Sequence, residues 1–119
     1  AAVLINDLLG RTVQAAQMSQ FGDALTTLHQ AIGLGVSQYG WAHHYPGYSL
    51  RMLAQVAKAF GLPAYHGEAV IKMRRMCHVL EAAGETPNAD LVKCLHAIAE
   101  EADGLDGGLA ARFRALAGG

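Results

Sequence analysis

"LRMLAQVAKAFGLP", residues 50–63, decides the fold class. Leu50, Leu53, Val56, Ala57 and Phe60 recur at three- and four-residue intervals, which places them on one face of an α-helix. Ser49 predicts a cap before this run, and Gly61 with Pro63 predicts a stop after it. No strand is needed to account for the pattern.

The same spacing extends in both directions. Towards the N-terminus, "VLINDLLGRTVQAAQMS" (3–19) puts Leu4, Ile5, Leu8, Leu9, Val13 and Ala16 in one stripe, with Asn6, Arg11, Gln14 and Gln17 on the other side. "FGDALTTLHQAIGLG" (21–35) repeats it with Phe21, Leu25, Leu28, Ala31 and Ile32, Ser19 serving as cap and Gly33 and Gly35 as stops. Towards the C-terminus, a fourth helix is expected from about Gly67 to Ala83, turning Val70, Met73, Met76, Cys77 and Leu80 inward. Thr86 and Pro87 predict the start of a fifth, carrying Leu91, Val92, Leu95, Ile98 and Ala102. "GLDGG" (104–108) breaks the chain before a last helix with Leu109, Phe113 and Leu116. The predicted class is all-α: five to six short amphipathic helices, arranged as hairpins in an orthogonal bundle or a short solenoid, in one domain over residues 1–119.

Composition narrows the function classes. Apolar residues make up 52% and charged residues 16% of the 119, which excludes a disordered chain. Nine Lys and Arg against ten Asp and Glu leave a formal charge of −1, so no global positive field recruits nucleic acid or an anionic membrane. No apolar run approaches a membrane span, and no basic segment leads into an apolar run and cleavage site, which predicts a cytoplasmic protein without membrane contact. In that setting Cys77 and Cys94 are expected to be reduced core thiols rather than a disulfide.

One stretch departs from helical chemistry. "QYGWAHHYPGYS" (38–49) holds Tyr39, Trp41, His43, His44, Tyr45 and Tyr48, with Pro46-Gly47 reading as a turn. Long joints in compact domains often carry function, so these six residues are the candidate partner- or ligand-binding site. An imidazole of His43 or His44 among aromatic walls would also suit haem or another small ligand, although no haem-attachment motif is present. The more economical expectation is structural, with Trp41 and one or two tyrosines plugging the space between the second and third helices.

Metal and enzyme signatures are absent. Cys77 with His78, and Cys94 with His96, point away from each other on a helix, so neither pair has zinc-ligand spacing and no metal is expected. No Gly-rich phosphate loop or nucleophile elbow occurs, and the balance leans against an enzyme.

Two resemblances bear on partners. "LLGRTVQAAQMSQFGDALTTLHQAIGLG" (8–35) resembles a tetratricopeptide-type helical hairpin, with Leu9-Gly10 in its first helix and Ala24, Leu28 and Ala31 at packing positions of its second. It departs from that family where Gly35 replaces the closing proline. The resemblance implies an adaptor that binds a partner peptide or helix in a groove, without catalysis or a cofactor of its own. "QVAKAFGLP" (55–63) resembles the first helix and turn of a helix-turn-helix, which implies a DNA-binding regulator centred on residues 53–80. Lys72, Arg74 and Arg75 would then meet phosphates or base edges. The adaptor is the first expectation, with aromatics such as Trp41 or Tyr45 as anchors; exposed apolar edges on short helices further predict coverage by a second copy, a homodimer.

Overall fold

Apolar residues at helical spacing, with few β-branched side chains between them, bury most surface as helices. The computed structural model describes residues 2–118, so the two end residues of the expected 1–119 unit lie outside it. Its helices are α1 (Ala2–Gln17), α2 (Phe21–Tyr39), α3 (His44–Phe60), α4 (Pro63–Ala83), α5 (Ala89–Asp103) and α6 (Gly107–Leu116). Among the described residues there is no strand, and the class is all-α, as expected.

Helix α3 is the hub. It packs against α2, α4 and α5 and grazes α1, while α6 closes over α5 and α4. Leu50 and Leu53 of α3, Met73 and Met76 of α4, Leu95 and Ile98 of α5 and Phe113 of α6 are fully buried between them. Each such side chain contributes roughly 1.5–3 kcal/mol of burial. Ion pairs fasten the C-terminal helices: Arg112 of α6 to Glu81 of α4 at 2.6 Å, Arg114 to Asp103, Arg74 to Asp106 at 3.1 Å, and Lys58 of α3 to Glu101 of α5 at 2.6 Å.

The helix ends differ from the sequence reading in an instructive way. Gly33 and Gly35 do not stop α2, which runs on to Tyr39. A methyl group on Gly35 would stand 3.3 Å from the backbone nitrogen of Pro46, so this glycine lets α2 and α3 approach closely. The true stop is Gly40, at φ 78°, whose N–H donates to the Val36 carbonyl at 2.9 Å. Likewise Ser49 does not cap α3 and Pro46-Gly47 is not a turn. Both lie inside α3, and the Ser49 hydroxyl donates to the Tyr45 carbonyl at 3.2 Å. Proline is tolerated there because amides of a first helical turn have no intrahelical partner.

Similar corrections apply elsewhere. Ser19 is not the cap of α2; it sits at φ 58° and ends α1, with its N–H on Ala16 and the Gln20 N–H on Ala15. Pro63 does not merely stop α3 but opens α4, so the joint is Gly61-Leu62 alone and Gly67 lies within α4. Helix α5 is capped by Asn88 rather than Thr86, the side chain accepting from the Leu91 N–H at 2.9 Å.

In α1 the buried residues are Ile5, Leu8, Thr12 and Ala15, not the whole expected stripe. Leu4 is 51% and Val13 42% exposed. Nine residues separate them, about 180° around a helix, so one face cannot bury both. Thr12 takes the central place, satisfied by its hydroxyl donating to the Leu8 carbonyl at 2.9 Å.

Candidate functional site

Because α3 begins at His44, the joint between α2 and α3 is only residues 40–43, and the candidate aromatics are drawn together around it. The His43 ring stacks on Tyr39 at 4.5 Å, on His44 at 4.3 Å and on Tyr45 at 5.2 Å, while Tyr48 meets His44 edge-on at 6.3 Å. Trp41 and Tyr48 pack against the core. All six candidates are half-buried.

His43 also does backbone work. Its extended backbone places the ring so that Nδ1 accepts the Tyr45 N–H at 3.1 Å, capping α3. Only an unprotonated Nδ1 can accept that bond. Burial lowers the His43 pKa from its usual 6.5, the neighbouring His44 lowers it further, and Asp90 at the start of α5 opposes both. The rings spend their faces on one another. A cavity of about 170 Å³ beside the joint is lined by Ala42, Leu80, Pro87 and Leu91, among others, and by none of the six.

Directly below, α3 lies flush on α5. A methyl group on Gly47 would run into the Cys94 sulfur and stand 3.2 Å from the Met76 Cε. The Cys94 thiol donates to the His44 carbonyl at 3.7 Å. Both cysteines are free and buried, and burial pushes their pKa values up, Cys77 to about 11 and Cys94 to about 12. Neither is a thiolate at neutral pH, so neither is poised as a nucleophile.

The basic residues do not form one patch. Arg74 is held by Asp106, whose carboxylate also caps α6 through the Leu109 N–H at 3.1 Å. Arg75 is exposed and Lys72 half-buried, and among the described residues neither joins an ion pair. Lys58 is held by Glu101, and the Arg51 Nε is buried without a hydrogen-bond partner. Among the described residues no three His, Cys, Asp or Glu side chains gather as a metal site.

Two surfaces escaped the sequence reading. A cleft of about 540 Å³ lies between the α3–α4 and α5–α6 joints, lined by Ala57, Leu62, His66, Leu105 and the paired Lys58. A second groove, about 200 Å³, runs between α1 and α3, with Thr12, Val13, Ala16 and Gln17 facing Met52, Gln55, Val56, Ala59 and Phe60. None of these nine side chains ionises. The signal that could have revealed this groove was the width of the α1 stripe: Leu4 and Val13 lie on opposite sides of the helix, so part of it had to stay uncovered. Five large apolar residues are exposed among the described residues: Val3 at 83%, Leu4, Val13, Met18 at 62% and Ile71 at 63%. Four of these five belong to α1 or its end.

Comparison with protein-family models, with curated proteins and with solved structures finds no match to this chain.

Proposed function

We propose that this chain is a helical interaction domain, without a reaction of its own, that receives an apolar helix along α1 and the groove between α1 and α3. The observation that carries this reading is the concentration of exposed apolar side chains on one helix, beside a groove with no ionisable lining. The groove lining offers a charged ligand, a metal or a phosphate backbone nothing to pair with, whereas an apolar helix finds apolar side chains there. The aromatic joint lies outside this surface, its rings stacked on one another and His43 capping α3.

The test is site-specific photocrosslinking in the native host, with the photoreactive residue at Val13 and, as control, at Ile71, which is the more exposed of the two at 63% against 42%. The expected result is an adduct at Val13 alone, traced to one apolar helical segment whose synthetic peptide binds the purified chain. Equal adducts at both positions, or none, would overturn the reading.

The helix-turn-helix alternative rests on the short glycine-containing Gly61-Leu62 joint between α3 and α4, about one or two residues under the usual turn of that motif. It would show as salt-sensitive DNA binding weakened by changing Lys72 and Arg75 together. Lack of binding at low salt removes it.

A further inference from the structure

We infer that the helix received by α1 is α1 of a second copy, the two crossing antiparallel at Gly10. This inference rests on the receiving surface proposed above and names its occupant.

The outward side of α1 has the pattern of a helix–helix seam. Val3, Asn6, Gly10, Val13 and Gln17 follow one another at intervals alternating between three and four residues; all are exposed, and none is charged. Gly10 lies at the centre, where a Cβ would meet nothing within 4 Å of its own chain. A glycine inside a helix costs stability relative to alanine, and the monomer uses this one neither for a turn nor for a close approach. A second helix crossing there would use it, because two backbones can approach most closely where no side chain intervenes.

The residues around Gly10 then argue for a second copy. With a two-fold axis at Gly10, each residue is level with the one equally far on the other side in the second chain. Asn6 comes level with Gln14 of the second copy, so that two amides, each able to donate and accept, meet twice in the interface. Asp7 and Arg11 share one edge of the seam and pair within the chain at 3.0 Å. A two-fold axis keeps like edges together in an antiparallel pair. Each Asp7 falls about 3 Å along the axis from Arg11 of the second copy, closer than the about 6 Å to its own Arg11. Along that edge the order is Asp7, Arg11 of the second copy, Arg11, Asp7 of the second copy, so each carboxylate has an arginine of the other chain beside it, whereas a parallel two-fold pairing would put the two charged edges on opposite sides of the seam. Val13 and Gln17 belong both to the seam and to the groove rim, so the second helix also covers the edge of the groove.

Cysteine crosslinking tests position and direction together, because the native Cys77 and Cys94 are buried thiols that stay protonated near neutral pH. Gly10→Cys should give a covalent dimer on mild oxidation. Val3→Cys should not, since its two copies would stand about 20 Å apart along the axis. Sedimentation should show a concentration-dependent dimer of the 12.6 kDa chain. Gly10→Glu should weaken it by at least tenfold while leaving helix content unchanged, whereas Asp7→Arg should weaken it several-fold and Asp7→Arg with Arg11→Asp should restore it.

A wild-type monomer at every concentration, or crosslinking through Val3→Cys as readily as through Gly10→Cys, would overturn the inference. A monomer that still forms a Val13 photoadduct with a different protein overturns the second copy and leaves the receiving surface intact. A monomer with no adduct overturns both.

Discussion

Gly47 and Gly10 both lie inside helices, Gly47 near the start of α3 and Gly10 at the centre of α1, and they have opposite surroundings. Gly47 presses α3 onto α5, where a methyl group would strike the Cys94 sulfur. Gly10 faces open space on α1. A helix glycine can serve a close approach within the fold, as Gly47 does, or leave backbone open at the surface, as Gly10 does; only burial separates the two uses.

Gly47→Ala should be the most damaging small change, destabilising by about 2–3 kcal/mol through overpacking against Cys94 and Met76. Chemical denaturation of Gly47→Ala and of Gly47→Ala with Cys94→Ala checks this: removing the sulfur should recover most of the loss, and no recovery would place the strain elsewhere. Trp41→Ala, on the same tight side, should cost about 1–3 kcal/mol by exposing the core it half covers, read as a lowered Tm with unchanged helix content.

The cap at the head of α3 comes next. His43→Ala should cost about 1 kcal/mol at neutral pH by orphaning the Tyr45 N–H. Its pH dependence has a definite sign. The folded chain holds His43 neutral below its usual 6.5, so its contribution is fully present above that value. As pH falls below 6.5 the unfolded chain takes up a proton that the folded chain refuses, and stability declines until folded His43 protonates and surrenders its acceptor. His43→Asn, which caps without titrating, should remove this part of the acid-side slope in urea melts at pH 7, 6 and 5. The smallest effect has the opposite sign: Gly10→Ala should stabilise the dilute monomer by about 0.5–1 kcal/mol, since it removes a helix-interior glycine and touches nothing. A loss of stability at high dilution would mean that α1 does not stand as described.

The same glycines explain what was legible. Helix existence followed from apolar spacing, and all six helices lie where Leu50 to Phe60 and its counterparts predict them. The joints were misread because Gly and Pro have two uses. Gly33 and Gly35 read as a stop, Pro46 and Gly47 as a turn; yet Gly35 and Gly47 serve close packing inside helices, and Pro46 fits a first turn. Only tertiary contact separates these uses. For the same reason the aromatic run looked like a long joint, whereas α2 and α3 absorb eight of its twelve residues and leave a joint of residues 40–43. The groove was hidden differently: periodicity says which residues are apolar on α1, but not how much of that stripe α2 and α3 are wide enough to cover.

The packing order of the helices carries a consequence for how the chain reaches this state. Most contacts join helices adjacent in sequence, and the main exceptions, α3 with α5 and α4 with α6, each skip a single helix. Loops to be closed are therefore short, and folding should be fast, on the microsecond-to-millisecond scale of helical bundles. The longest of these closures is the docking of α5 onto α3, which brings together residues on either side of α4 in the sequence. The glycine at position 47 thus sits where the longest loop closes, its bare backbone against Cys94.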